Sequence, residues 1–223
     1  MKLVSSLRVS PGRLRFLEKE EIFKLLSNCT GNLKAIVIVA LFTGMRKSEI
    51  FGLKWHDIDF KRNTITLLNT KNGDKREAPM SDLVKNTLIG IRKHPNSAYI
   101  FCDENGLPVR DIRKSFSTAL EKSGIKYGSP DGVTLHSLRH SFASQLVMAG
   151  VDLNTVRELL GHKDMSMTLR YSHLAQSHKQ RAVELLSNKI DTGSSLNEKI
   201  EVSEKSEEIE ALQVIDNKQV ISS

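Results

Sequence analysis

Apolar positions along the first sixty residues keep a helical period and then abandon it. From about Glu18 to Ser27 they recur at the spacing of an amphipathic helix. From Asn32 to Phe42 they occupy every face, which predicts a helix buried on all sides. Gly44 ends that helix, and a short one beginning near Arg46 turns Ile50 and Leu53 inward. Between Trp55 and Met80 the period falls to two: Ile58-Asp59-Phe60, Thr64 to Leu68 and Arg76 to Met80 predict three short antiparallel strands. Asn72-Gly73 supplies a tight turn between the second and third.

Helical spacing returns after Val109. Arg110 to Ser123 stops at Gly124, and Leu135 to Ala149 follows a Thr134 cap and stops at Gly150. Asp152 caps a helix that ends at Gly161, Ser166 caps one running through Tyr171, and an amphipathic segment spans about Leu174 to Asn188. The predicted fold is mixed α/β, predominantly helical, with a small three-stranded antiparallel sheet. Residues 1–15 read as a linker broken by Pro11-Gly12, residues 16–190 as one folded domain, and residues 191–223 as an acidic, mostly disordered tail.

Charge sharpens that division. The chain carries +7, but the last 33 residues hold eight acids against three bases, so residues 1–190 carry +12. A basic body of that kind favours a polyanionic partner, nucleic acid above all. The longest apolar run, Ala35 to Phe42, is far shorter than the ~20 residues of a membrane span, and no signal-peptide stretch opens the chain; a cytoplasmic protein is expected. Cys29 and Cys102 form no C-x-x-C pair, which argues against a disulfide framework or a structural zinc.

Candidate chemistry sits at the joints between elements, where side chains project from a scaffold. Arg46 follows a helix-ending glycine, Lys71 lies at the hairpin turn, His136 and Arg139 share a helix face, His162 follows Gly161, and Tyr171 lies on the short capped helix. These types suit phosphoryl transfer to a tyrosine hydroxyl. Arg46 and Arg139 can grip non-bridging phosphate oxygens in bidentate fashion and remain charged as negative charge builds. His162 can donate a further hydrogen bond, His136 can assist proton transfer, and Lys71 can protonate the departing 5′ oxygen, a task open also to Lys75 or Arg76. A tyrosine ionises near pH 10, so Tyr171 needs cations and a base at hand. The bland readings differ: Tyr171 as half-buried packing, Trp55 as core, and His136 and His140 as zinc ligands with His162 or His173, although H-x-x-x-H without an intervening Glu supports a zinc site poorly.

Taken in order, Thr43-Gly44-Met45-Arg46-Lys47-Ser48-Glu49-Ile50, the Thr70-Lys71 turn, His136-Ser137-Leu138-Arg139-His140, Leu160-Gly161-His162 and Thr168-Leu169-Arg170-Tyr171-Ser172-His173 resemble the successive boxes of the tyrosine recombinase (phage integrase) family across residues 13–188. The resemblance implies the catalytic-domain fold of that family and DNA strand cleavage through a 3′-phosphotyrosyl link. It also implies no metal or nucleotide cofactor, double-stranded DNA as partner, and self-association into a tetrameric synapse aided by the last amphipathic segment. Glu49 matches an acidic residue that orients Arg46 or a histidine. Two departures stand out. Glu18-Lys19 replace the family's frequent Thr-Pro helix start, so a weaker cap is expected there. Residues 1–15 resemble only the linker that follows a helical core-binding domain, so a truncated or shortened chain is expected. The same chemistry without partner exchange, as in a type IB topoisomerase or relaxase, and a non-catalytic DNA-binding or regulatory fragment are the alternative readings.

Overall fold

The computed structural model describes residues 14–68, 75–128, 131–175 and 183–186. The predicted linker up to residue 13, the acidic tail, Lys71 and the Asn72-Gly73 turn lie outside these residues. Two compact units divide the chain, Met1–Ala175 and Gln176–Ser223. Among the described residues, the first unit holds the sheet and both hydrophobic cores; of the second, residues 183–186 are helical.

Helix α1 (Lys19–Asn28) leads into α2 (Gly31–Thr43), whose Ala35 to Leu41 are all buried. An all-apolar helix can bury every face only at the centre of a fold, and α2 is packed by α1, α3 (Lys47–Phe51), α4 (Asp82–Ile89) and α6 (Leu135–Met148). The sheet has strand order β1 (Ile58–Asp59), β2 (Thr64–Leu68), β3 (Lys75–Pro79), antiparallel throughout. Ile65 pairs with Ala78 and Leu67 with Arg76, so one face of β2 and β3 enters the core at Ile65, Leu67 and Ala78. Asn63, at φ 54°, makes the tight turn into β2.

Helices α5 (Arg113–Lys122), α7 (Leu153–Leu160) and α8 (Ser166–Leu169) complete the unit, followed by a 3₁₀ turn over Ser172–Ala175. A main core gathers α1 to α5, the sheet and Leu138. A smaller one gathers Ala143 and Val147 of α6, Val156 and Leu160 of α7, and Tyr171. Helix α6 therefore belongs to both cores, with Arg139 and His140 lying between Leu138 of the main core and Ala143 of the smaller one.

Several boundaries differ from the sequence expectation for local reasons. The weak cap expected at Glu18 is replaced by a closed one, because the Glu21 carboxylate accepts from the Glu18 backbone N–H (3.0 Å) and pairs with Arg15. Helix α4 has no counterpart among the predicted elements; the Ser81 hydroxyl accepts from Val84 N–H at its start, and Val84 and Leu88 fill the core. The N-cap of α8 is Met165, whose side chain makes no capping bond; Asp164, one residue earlier, accepts from Ser166 N–H at 2.8 Å, and the helix stops two residues before Tyr171. Leu174 lies in the 3₁₀ turn rather than opening a long helix, and most of that predicted helix lies outside the described residues. Trp55 is partly buried against the main core, with Lys93 Nζ 4.7 Å from its ring centroid.

Candidate active site

The last carbonyls of a helix have no partners within it, and they lie at the negative end of its dipole. At the end of α7 three guanidiniums take three successive carbonyls. Arg76 donates from Nη1 to Leu159 O (2.8 Å), Arg139 from Nη2 to Leu160 O (2.6 Å), and Arg46 from Nη2 to Gly161 O (3.2 Å). They arrive from β3, α6 and the start of α3, so a single helix terminus aligns cations supplied by three distant stretches of chain.

Glycines make that convergence possible. Gly44, at φ +62°, ends α2 in the left-handed region and turns the chain so that Arg46 caps α3; a Cβ there would lie 2.4 Å from the Phe142 ring. Gly161, at φ +63°, ends α7 the same way, and a Cβ there would lie 2.6 Å from Arg76 Cδ.

One carboxylate binds the group together. Glu49 Oε1 accepts from Arg46 Nη1 (3.0 Å), while Oε2 accepts from Arg76 Nη2 (2.8 Å) and from the Arg46 backbone N–H (2.7 Å). Arg139 spends its other terminal nitrogen on Gly44 O (2.5 Å). Three cations thus face one carboxylate, and Arg46, Glu49, Arg76, Gly161 and His162 line a common pocket with Leu67 and Lys163. Arg139 is buried, whereas Arg46 keeps 41% of its side chain exposed, so the concentrated positive charge opens to solvent through Arg46. Burial, reinforced by Arg46, lowers the Arg139 guanidinium to about 10, which leaves it charged at neutral pH.

The histidines answer to the same field. Burial first, then Arg139 and Arg46, push His162 down to about 4. Burial, then His136 and Arg170, push His140 down to about 4, and burial with Arg139 lowers His136 as well. All three are neutral near pH 7. His162 Nδ1 meets the buried Thr168 hydroxyl at 2.9 Å, which leaves Nε2 as the ring's N–H when that hydroxyl donates. His136 and His140 stand edge to face, with ring centroids 4.6 Å apart. Among the described residues no three His, Cys, Asp or Glu side chains form a group able to hold a metal ion.

Tyr171 is 1% exposed, its ring packed in the smaller core, and its hydroxyl lies 2.7 Å from His140 Nδ1. Burial raises its pKa, against the pull of Arg170 and Arg139. Of the residues singled out from sequence, Arg46, Glu49, Arg139 and His162 meet at the end of α7, while His136 and Tyr171 both contact His140. Lys71 falls outside the described residues. Arg76, one stand-in for Lys71, is already committed to Glu49 and Leu159 O. Sequence reasoning missed three members: Arg76 as an anchor, Thr168 as the partner of His162, and His140 as the partner of Tyr171. The i, i+4 spacing of His136 and His140 put both on one helix face and was the available signal for the last.

The model of the phage integrase family matches residues 15–178. The chain belongs to that family. The integrase of Escherichia phage 186 is 32% identical over 189 residues, covering 83% of this chain and 52% of that one. The catalytic domain of bacteriophage HP1 integrase superposes with a TM-score of 0.62 at 32% identity, over 78% of this chain and 96% of that one. The Tn1549 transposon integrase, solved in complex with circular intermediate DNA, gives a TM-score of 0.62 at 25% identity, over 76% and 67% of the two chains. The chain spans about half the length of the curated relatives it matches. Its fold is the tyrosine recombinase catalytic domain, as the resemblance implied, and its mainly helical make-up with a three-stranded antiparallel sheet is what the hydrophobic pattern predicted.

The depressed histidines set a pH limit on stability. His140 and His162 titrate near 6.5 when unfolded and about 4 when folded, so the unfolded chain binds more protons between those values. Their contribution is complete above pH 6.5 and declines as pH falls toward 4. Urea unfolding is expected to show a lower midpoint at pH 5 than at pH 7, with the difference shrinking in a His140→Asn, His162→Asn double variant. An unchanged pH dependence in that variant would remove these two residues as the cause.

Proposed function

We propose that this chain is the catalytic domain of a site-specific DNA recombinase that cleaves and rejoins double-stranded DNA through a 3′-phosphotyrosyl intermediate at Tyr171. The observation that carries the reading is the alignment of three arginines on the end of α7, with one carboxylate between them, beside a buried tyrosine already hydrogen-bonded to an imidazole. Such a charge excess is built for a phosphodiester, whose non-bridging oxygens gain negative charge in the transition state. Arg46 and Arg139 grip those oxygens, His162 donates to them from Nε2, and Glu49 with Arg76 holds Arg46 in place. Lys71 protonates the departing 5′ oxygen and His136 assists proton transfer. The covalent link keeps the energy of the broken phosphodiester, so rejoining uses no nucleotide cofactor. On DNA the domain works in a multimeric synapse, in the cytoplasm and at the nucleoid. A complete nucleophile-and-arginine set is more than a binding-only fragment requires.

The test is covalent trapping. The chain is incubated with a pool of nicked duplexes of randomised sequence, in which the cleaved strand loses the short piece needed to religate. An adduct mapped by mass spectrometry to Tyr171 is the expected result; an adduct at another residue, or none, would overturn the reading. Phosphate contacts dominate such binding, so DNA affinity should fall steeply with salt, with a log–log slope of several units. A nearly flat salt response would contradict the proposed phosphate contacts.

A further inference from the structure

We propose that His140 is a catalytic residue of this site, accepting the phenolic proton of Tyr171 as the phosphotyrosyl bond forms; the inference rests on the strand-cleavage reading above. The imidazole in hydrogen-bond contact with the phenol is His140, with Nδ1 2.7 Å from Tyr171 Oη. The two ring centroids are 6.0 Å apart with their planes tilted at 51°, and the polar contact lies within that tilted arrangement. His136 lies edge to face against the same imidazole, at 83° between planes, and helps to hold that ring in one orientation.

The charges around His140 decide which atom holds the proton. Facing it are His136 and Arg139 from α6, Arg170 from the end of α8, His162 from the connection between α7 and α8, and Tyr171 itself. Burial first, then His136, Arg170, Arg139 and His162, keep the imidazole neutral at pH 7, so Nδ1 offers a lone pair when Nε2 carries the ring proton. Tyr171 is kept protonated by its own burial, and its O–H donates to that lone pair.

In the cleavage step the O–H bond breaks and an N–H bond forms at Nδ1, leaving His140 as imidazolium. The Oη electron pair forms the bond to phosphorus, and the bond from phosphorus to the 5′ oxygen breaks. That oxygen takes its proton from a separate acid, Lys71 in the reading above. On rejoining, the imidazolium returns its proton to Oη as the tyrosine leaves. The incoming phosphodiester brings negative charge close to the imidazole, which makes Nδ1 a stronger base at the moment the proton must move.

The test uses His140→Asn in the full chain, since the Asn Oδ1 can accept the phenol hydrogen bond without taking the proton. Adduct formation is followed under single-turnover conditions on a nicked duplex recovered from the trapping pool, with Tyr171→Phe as the blank and a thermal melt as the check on folding. The variant is expected to bind the duplex within about threefold of the parent. Its cleavage should be slower by about 10²- to 10⁴-fold, the range for a positioned general base. The deficit should persist on a substrate whose bridging 5′ oxygen is sulfur, because a thiolate departs without a proton and the loss then lies on the nucleophile's side. The decline of the parent's rate toward acid should disappear in the variant. Should Asn fail the melt, His140→Gln is put through the same measurements. Cleavage within threefold of the parent, faster cleavage, a deficit cured by sulfur, or an unchanged acid limb would each overturn the assignment. No adduct from the parent chain would instead overturn the strand-cleavage reading, and this inference with it.

Discussion

Tyr171→Phe is expected to eliminate the covalent DNA adduct while leaving the fold and DNA affinity nearly intact. The substitution removes one oxygen from a side chain that is 1% exposed, and the ring keeps its place among Ala143, Val147, Val156 and Leu160. What is lost is the hydrogen bond to His140, worth about 1 kcal/mol, with a further penalty of similar size if Nδ1 stays dry and unpaired. A phenol held above its usual pKa by burial is uncharged at neutral pH, so its removal costs no Coulombic attraction for phosphate. Trapping and affinity therefore separate. A denaturing gel on nicked duplexes should show no protein–DNA species, while a binding titration should move by less than about threefold. A phosphotyrosyl adduct that survives in Tyr171→Phe would mean that Tyr99 or Tyr127 is the nucleophile, and the site would have to be drawn elsewhere.

Arg139→Lys should be nearly as damaging, although it keeps the charge. Arg139 divides its terminal nitrogens between Gly44 O and Leu160 O, at 2.5 and 2.6 Å, and its remaining N–H groups stay in a fixed plane for a second task. A lysine has one ammonium on a flexible stem and cannot join both carbonyls while offering a planar pair of donors to phosphate. Cleavage is expected to fall by about 10²- to 10³-fold, the loss typical of one preorganised donor at a developing oxyanion. Stability should fall by about 1–3 kcal/mol, because at least one buried carbonyl at the end of α2 or α7 is left unsatisfied. The two effects are distinguished by measuring cleavage well below the variant's melting temperature. A rate within threefold of the parent would show that charge alone suffices and that the guanidinium geometry is dispensable.

Between sequence and structure, legibility followed the range of the interaction. The all-apolar stretch from Ala35 to Leu41 marked α2 as a central helix, since no surface position tolerates such a segment. Gly44 and Gly161 were legible as helix ends, and both hold left-handed φ values. The sheet followed from a period of two, with β3 displaced by one residue. Helix α4 was not legible, because its eight residues are too few for a periodic signal and only Ser81 announces it. The α8 cap was misplaced by one residue because the N-cap falls on Met165, whose side chain carries no capping oxygen, while the better capping types Asp164 and Ser166 stand to either side of it in sequence.

The site shows the same division more sharply. By itself the sequence determined that Arg46, Glu49, His136, Arg139, His162 and Tyr171 stand in one order at the ends of short elements, because local turns, caps and helix faces place them there. Only the tertiary structure decided that three arginines share the carbonyls of a single helix end, that Arg76 is the third, and that the phenol meets His140 rather than His136. The carbonyls at the end of α7 are unpartnered in every helix of this kind, so sequence marks the demand but not the donor. Likewise, one helix face carries both His136 and His140, and the choice between them depends on how the segment after α8 packs against α6, an interaction between residues about thirty positions apart.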